Sequence, residues 1–268
     1  MSTELTSETT PEPRFLDPSD DVVTLPVGLE IDGTRFRRIR IDEMTGVDEE
    51  NLSSKKKGKN PVAPFDLLLR RCIQGIEGLY EKKKQYGLCP AEYVQRMYQV
   101  DRDFLLVAIR VASLDSNITM GWKCGECGEA NEDDVDLAKL PVTDWPVGEP
   151  PEIPFTLPKG LRHEDELHKE GIIAFPQGKH QSAVARLAMT EPGKAQTALL
   201  AACISRVGKV TSLDTSMVQR MSFRDRRAIG DAIIDKLPGV RLFVNLECEA
   251  CGHEQEDQRI DLSAFFRG

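Results

Sequence analysis

The sequence lacks the long apolar run that a membrane-spanning helix requires. Although 40% of its 268 residues are hydrophobic, no apolar stretch approaches the 18 or so consecutive residues that cross a bilayer. The beginning of the chain, from Met1, also lacks the basic region followed by an apolar region that marks a secretory signal peptide. We therefore expect no membrane insertion, and a core large enough for one large or two modest domains.

Catalytic motifs are also missing. The sequence contains no Gly-x-Ser-x-Gly motif, no phosphate-binding Walker loop and no dinucleotide fingerprint. Of its four histidines, His163 and His168 are five residues apart, which is not the i, i+4 spacing of a helical metal site. We expect the histidines to be surface polar residues, and the sequence predicts a protein that is not an enzyme.

A surplus of basic residues is absent. The chain has 35 Lys and Arg against 44 Asp and Glu, a net charge of −9. This sign disfavours nonspecific binding to nucleic acid or to an anionic membrane surface.

The cysteine content does not support a disulfide framework. Seven cysteines is an odd number, and Cys72, Cys89 and Cys203 stand alone in the sequence. The other four form two C-x-x-C pairs. This usage is typical of a protein in a reducing cytoplasm.

The two C-x-x-C pairs are the strongest signal present. Trp122–Gly128 and Leu246–Gly252 each contain C-x-x-C-G after an apolar run, the pattern of a metal knuckle whose glycine lets the chain turn with positive φ. About ten residues further on come Val135-Asp136-Leu137 and Ile260-Asp261-Leu262, which suggests two similar hairpins. Four thiolates suit a tetrahedral structural Zn²⁺, so the predicted ligands are Cys124, Cys127, Cys248 and Cys251.

The spacing between the pairs shapes this prediction. About 120 residues separate Cys127 from Cys248, far more than the 12–20 of a contiguous zinc finger, so the metal would clamp distant parts of the chain. A binding free energy on the order of 10 kcal/mol could offset the loop-closure cost. The alternatives are two independent reduced turns, or a redox pair, although a thioredoxin-like C-x-x-C opens a helix rather than following a strand. Four thiolates also leave zinc no open position for water.

The predicted fold is α+β: an N-terminal β-hairpin and helical unit, with a four-cysteine, zinc-ribbon-like pair of knuckles split by a helical insertion. Asp32-Gly33 predicts the turn of the hairpin, Asp101 is a candidate helix cap, and apolar spacing from Pro64 to Tyr80 predicts one long helix ending by Gly87.

We expect the chain to divide into four segments: a flexible N-terminal arm (1–20) that could order on a partner; hairpin, helices and first knuckle (21–137); the helical insertion (138–239); and a strand, the second knuckle and a C-terminal segment (240–268).

The order of these features resembles a known family. The segments concerned are Val23–Gly28, Met44–Leu52, Leu67–Ile73, Val100–Arg110, the two C-x-x-C pairs and the terminal Phe265-Phe266-Arg267. Together they resemble the baseplate-protein family of T-even-type contractile phages, which also occurs in related phage-tail-like injection systems. The similarity covers most of the chain after about residue 20.

The resemblance implies a non-enzymatic structural or assembly component of the baseplate hub, in contact with other hub or tail-tube subunits. Such a protein would be in the host or bacterial cytoplasm during assembly and in the virion tail or injection particle at maturity. Candidate partner contacts are Arg35 and Arg37 on the second strand, and Phe265 and Phe266. Two alternatives stay open: the arginines form a solvated strand face, and the phenylalanines pack under the zinc hairpin.

Two other functions compete with a structural subunit. One is a zinc-ribbon adaptor in nucleic-acid processes, which the carboxylates around both knuckles disfavour. The other is a tail-assembly chaperone that is absent from the mature particle.

Overall fold

The computed structural model describes residues 13–53, 60–83 and 87–262. The described chain mixes helices and sheets, as predicted. Phe265, Phe266, residues 1–12 and the basic loop 55–59 lie outside the described residues. No helix in the described ranges is long and apolar enough to cross a membrane.

The first half of the chain begins with the predicted hairpin. Its strands β1 (Val22–Ile31) and β2 (Thr34–Ile41) pair in antiparallel register. Asp32 (φ +49°) and Gly33 (φ +77°) both adopt positive φ, as the tight hairpin turn requires. The elements that follow are α1 (Gly46–Ser53), α2 (Ala63–Cys72), β3 (Ile73–Ile76), β4 (Tyr80–Glu81), α3 (Ala91–Arg96), α4 (Gln99–Ser113), β5 (Asn117–Lys123) and β6 (Ala130–Asp136).

The long helix predicted from Pro64 is wrong beyond Cys72. There α2 ends and the chain becomes β3, which pairs with β2 through Ile39–Ile76 and Ile41–Ile73. Short apolar runs fit either structure. Here the β-branched Ile73 and Ile76 gain a buried place in the sheet, and Gly75 disfavours a continuing helix.

The segment 138–239, predicted to be a helical insertion, does contain four helices, but it is not helical throughout. After a 3₁₀ turn (Leu137–Lys139) and β7 (Val142–Thr143), the segment forms a three-stranded sheet of order β10-β9-β8. The elements from there on are β8 (Glu152–His163), β9 (Glu166–Ala174), α5 (Gly178–Thr190), α6 (Pro192–Cys203), β10 (Ile204–Val207), α7 (Thr215–Arg220), α8 (Phe223–Lys236), β11 (Gly239–Val240), β12 (Phe243–Glu247) and β13 (Glu254–Arg259).

The prolines of β8 make this strand difficult to recognise in the sequence. Ile153, Phe155 and Leu157 alternate as buried residues, with Pro154 and Pro158 exposed between them. Proline cannot donate a ladder hydrogen bond, but β8 is an edge strand of its sheet, where that loss is tolerated.

The two halves of the chain repeat one arrangement, which the sequence analysis missed apart from the knuckles. We call residues 22–136 the first unit and residues 152–259 the second unit. Each unit is a hairpin, two helices of which the second leads directly into a strand that pairs with the second hairpin strand, two further helices and a knuckle hairpin. Residues 138–239 therefore contain most of a second copy rather than an insertion.

The sequence carries the repeat as four matched motifs. Thr-Leu-Pro-x-Gly-Leu occurs at 24–29 and 156–161, and Leu-Leu-x-x-Cys-Ile at 68–73 and 199–204. Val-Gln-Arg-Met-x-x-x-Asp-Arg occurs at 94–102 and 218–226, and Cys-x-x-Cys-Gly at 124–128 and 248–252. The last two motifs recur at the same interval of 124 positions, since Met97 matches Met221 and Cys124 matches Cys248.

A buried aspartate performs the same task in each unit. Asp101 on α4 accepts hydrogen bonds from the backbone N–H of Val27 (2.8 Å) and Gly28 (2.9 Å), where β1 bulges. Asp225 on α8 accepts from the N–H of Lys159 (2.7 Å) and Gly160 (3.3 Å), where β8 bulges. Each carboxylate thus ties a helix to the hairpin of its own unit.

The prediction that Asp101 caps α4 is wrong, because its carboxyl group accepts hydrogen bonds from the backbone of β1. Burial raises the pKa of Asp101 to about 7, against the two backbone donors, which lower it. In the second unit, burial also acts to raise the pKa of Asp225. The Ser222 hydroxyl and the donors of β8 outweigh that effect, and the pKa of Asp225 lies below its usual value.

Part of the N-terminal arm is fixed to the chain itself. The Arg14 backbone pairs with Val142, and its guanidinium binds Asp144 (3.0 Å) and lies 5.0 Å from the centre of the Phe104 ring. Leu16 also enters the core, so residues 14–16 of the predicted arm contact the rest of the chain, whereas residues 17–20 are exposed. A cation over an aromatic ring and a β-bridge together explain this order.

The core is centred on α4. This helix contacts β1, α2 and α5, and also β11 from the far end of the chain. Eleven of its residues are buried. Its counterpart α8 buries only Asp225 and Ile229. The two units therefore share a fold, but their corresponding helices differ in burial.

We predict that Asp225→Ala lowers the free energy of unfolding by about 2 kcal/mol or more, because two backbone N–H groups lose their acceptor. Chemical denaturation followed by circular dichroism measures the change. Asp235→Ala, at an exposed position of the same helix, is the matched control and should cost less than about 0.5 kcal/mol. Equal stability of the two variants would contradict the assigned role.

Candidate metal centre

The two knuckles are built alike. In the first, Cys124 N donates to Glu129 O (2.8 Å) and Gly128 N donates to Cys124 O (3.0 Å). In the second, Cys248 N donates to His253 O (3.0 Å) and Gly252 N to Cys248 O (2.8 Å). Gly128 (φ +77°) and Gly252 (φ +70°) take the left-handed conformation that was predicted.

The four cysteines meet in one cluster. The Sγ atoms of Cys124 and Cys251 are 3.8 Å apart, and those of Cys127 and Cys248 are 3.6 Å apart. All four sulfur atoms lie within 4.8 Å of one another. Zinc–sulfur bonds of about 2.3 Å in a tetrahedron require S···S edges of about 3.8 Å. The cluster is therefore compatible with one bound metal ion.

Backbone donors favour the thiolate form at two of the four cysteines, Cys124 and Cys248, whereas the pKa of Cys127 is raised and that of Cys251 is raised to about 12, in part by hydrogen bonds with the neighbouring cysteines. Burial acts to raise the pKa of the Cys248 thiol, but the N–H groups of Cys251 and Ala250 and the Asn131 amide lower it to about 6. The pKa of Cys124 is also lowered, first by the backbone N–H of Cys127. Thiolates are the metal-binding form of cysteine, so these donors favour the ligand state.

Two amide side chains connect the knuckles to each other, and the sequence analysis did not identify them. Asn131 accepts a hydrogen bond from Glu249 N (3.2 Å), and its Nδ2 lies 3.6 Å from the Cys248 sulfur. Gln255 accepts from Gly125 N (3.3 Å). Each amide lies seven positions after the first cysteine of its own knuckle. The interval of 124 positions that relates the cysteines also relates these two residues and their two donors, and could have revealed them.

Carboxylates surround the cluster, as the sequence predicted. On the first hairpin some are engaged locally: Asp134 accepts from Thr119 Oγ1 (2.8 Å), and Asp133 accepts from the Trp122 indole. The knuckle tips carry further exposed acidic residues, among them Glu126, Glu129, Glu249 and Glu254. This surface has the wrong sign for the phosphates of a nucleic acid.

The remaining cysteines are separate from the cluster. Cys72, Cys89 and Cys203 are all buried, and burial raises the pKa of each thiol to about 12. They pack as small apolar side chains. Within the described ranges, the four knuckle cysteines are the one group of three or more Cys, His, Asp or Glu side chains placed to share an ion.

The histidines have separate surroundings. His180 Nδ1 accepts from Gln177 N (3.2 Å) at the start of α5. His163 lies 3.9 Å from Glu164, and His168 lies 4.0 Å from Glu166. The structure does not bring these three side chains together with one another or with the four knuckle cysteines, whereas Nδ1 of His180 lies 3.6 Å from Sγ of the buried Cys203.

The predicted partner arginines make contacts within the chain. Arg37 donates to Leu25 O (2.8 Å) and pairs with Asp144 (3.0 Å), and Arg35 donates to Glu149 O (2.9 Å). Both side chains are one-fifth exposed. They hold the hairpin of the first unit against the linker before β8, and a partner contact through them stays a prediction.

The fold and the site together define a two-unit α+β scaffold whose units meet at a four-cysteine cluster. The family model described as T4 bacteriophage base plate protein matches residues 37–267 of this chain. The chain belongs to this family, which confirms the predicted resemblance. The match covers the first unit from residue 37 onwards, the whole second unit and both knuckles. No curated protein and no solved structure matches the chain.

We predict that Asn131→Ala weakens metal binding by roughly 10- to 100-fold, the usual effect of removing a partner of a metal ligand. Competition between a chelator and the protein for Co²⁺, followed by thiolate-to-metal absorption, gives the affinity. Asn117→Ala on the same hairpin, at an exposed position, is the control and should bind as the wild type does. An unchanged affinity in Asn131→Ala would show that the amide does not support the ligands.

Proposed function

We propose that this protein is a non-enzymatic structural component of the baseplate hub of a contractile phage tail or a related injection particle, stabilised by one structural Zn²⁺. Membership of the base plate protein family is the observation that carries the proposal. The family implies a place in the virion tail within a complex of several proteins. The hub position, the zinc and a role in injection particles are our additions.

Zinc is the ion that best fits the donor set. Four thiolates are soft ligands, and the S···S distances of 3.6 and 3.8 Å match a tetrahedron. Cys124 and Cys127 would bind it from the first unit, and Cys248 and Cys251 from the second. When bound, the ion would supply structural cross-linking, because four protein ligands leave no position for a substrate or water.

The clamp would fix the two units at their ends. Each knuckle is an isolated two-stranded hairpin, and a hairpin of two strands is at best marginally stable in water. Binding one ion between two such hairpins would hold both in place. A rigid scaffold of this kind suits a subunit that transmits force or position rather than one that performs chemistry.

We predict that the purified wild-type protein contains about one Zn²⁺ per chain and that Cys124→Ala loses it. Because a structural zinc site contributes several kcal/mol to folding, the variant should also be less stable by several kcal/mol. Elemental analysis and chemical denaturation measure the two effects. Cys89→Ala, which removes a cysteine outside the cluster, should retain its zinc. A wild-type protein purified without chelators that holds no zinc would refute the clamp.

We also predict that quantitative mass spectrometry of purified contractile particles finds this chain at a fixed ratio to the tube and sheath proteins. A tail-assembly chaperone would instead be present in assembling cells and missing from finished particles. A zinc-ribbon adaptor would shift DNA or RNA in a gel at physiological salt and would not copurify with particles. Either outcome would reject the structural role.

A further inference from the structure

Helix α8 presents apolar side chains on the side that faces away from its own unit. Phe223 is 82% exposed and Ile234 is 80% exposed, which makes them two of the three most exposed large apolar side chains among the described residues. Eleven positions are close to three helical turns. The two side chains therefore lie on one line along the helix, on the side opposite the buried Asp225 and Ile229.

Two further residues, Arg227 and Gly230, lie on the same line. The four positions, Phe223, Arg227, Gly230 and Ile234, follow the 4-3-4 spacing of a helix that packs along another helix, and we call them the outer face of α8. A Cβ atom added at Gly230 would meet no atom within 4 Å. The fold of the described chain therefore does not require glycine at this position, which disfavours a helix. A glycine here does let a neighbouring helix approach closely.

The repeat shows that this side of the helix is a packing side. The positions on α4 that match the outer face lie 124 positions earlier in the chain. All four are buried or half-buried: Gln99, Asp103, Leu106 and Arg110. The first unit thus packs this side of its helix inside the chain. The second unit leaves the same side open within the described ranges, although it carries a phenylalanine and an isoleucine there.

The exposed charges of α8 indicate what could cover the outer face. Arg224 and Arg227 lie in the first half of the helix, and Asp231 and Asp235 lie in the second half. The helix dipole favours the reverse order. Arg227 Nε lies 3.8 Å from Asp231 Oδ2 in the same helix, but an exposed pair of this kind contributes little. A second α8 that runs antiparallel would bring the basic half of each helix over the acidic half of the other.

We propose that two copies of this chain associate through the outer faces of α8, with the two helices antiparallel about a two-fold axis. In the register that places Phe223 against Ile234 of the other copy, Arg227 lies beside Gly230 of the other copy. Arg224 then flanks the contact next to Asp231 of the other copy. The two-fold axis makes each of these contacts occur twice. A parallel arrangement would instead place like charges side by side.

A second copy suits the outer face because the face is complementary to itself in both shape and charge. Each copy supplies the phenylalanine, the isoleucine, the glycine and both signs of charge that the other requires. The contact involves neither the cysteine cluster nor a tail protein, so its failure and the failure of the proposed function are distinguishable.

The experiment measures the mass of the full-length protein by sedimentation velocity over a series of concentrations. The wild type should shift from the mass of one chain towards that of two as the concentration rises. Ile234→Glu should weaken this association roughly tenfold or more, because it places two carboxylates in the apolar contact. The control is Met189→Glu, whose side chain is 71% exposed on α5, and it should associate as the wild type does. Both variants should keep the wild-type circular dichroism spectrum, since the substituted side chains are exposed.

A wild type with the mass of one chain at every concentration would overturn the proposal and leave the outer face to another segment or to a different partner. Association that Ile234→Glu does not weaken would place the contact between copies elsewhere and would also reject it.

A charge exchange tests the antiparallel register. Arg224→Asp should weaken association, because it sets two carboxylates against each other at both ends of the contact, and Asp231→Arg should do so by pairing two guanidinium groups. The double variant Arg224→Asp, Asp231→Arg restores opposite charges across the contact and should recover most of the association. A purely structural effect of either substitution would not be reversed by the other. A double variant as weak as the single variants would therefore contradict the proposed arrangement.

Discussion

The structure depends on bringing four cysteine sulfurs from distant parts of the chain to within 4.8 Å of one another. The two knuckles cannot meet unless each unit places its hairpin at the correct end of its own helix and strand framework. The backbone N–H groups, together with Asn131 and Gln255, then direct each knuckle towards the other. The same junction brings Ile260 and Leu242 into the core of the first unit, so forming the cluster and completing that core are coupled.

The repeat explains why the two knuckles at the junction are alike. Differences between the two units explain why α4 is buried and α8 is largely exposed. On α4, Val100, Val107 and Val111 are buried because elements from both units cover the helix. The matching positions of α8 are Arg224, Asp231 and Asp235, all exposed. The second copy carries charged residues at these positions, where nothing covers its helix within the described chain. It has kept Asp225, because the bulge of β8 needs an acceptor as the bulge of β1 does.

Much of the local structure could be predicted from the sequence. Asp32-Gly33 specified a hairpin turn, and C-x-x-C-G specified both knuckles. The wrong predictions concern segments in which a local structural preference competes with pairing to a strand that is distant in the sequence. The apolar spacing after Cys72 suits a helix, yet β2 provides a partner that makes it a strand. Prolines in β8 suggested a loop, yet an edge position tolerates them.

The sequence alone indicated which four cysteines form the cluster, because each pair lies in a glycine-ended C-x-x-C turn, and it indicated the family through the order of its motifs. It also contained the whole repeat, in matched motifs that only the structure made conspicuous. Tertiary structure decided the rest: that the middle of the chain is a second copy, that Asp101 bonds a strand rather than caps a helix, and that Asn131 spans the junction. The physical reason is that each of these depends on a partner 70 to 120 positions away. Local propensity carries no information about a partner at such a distance; within the sequence only the repeat interval does.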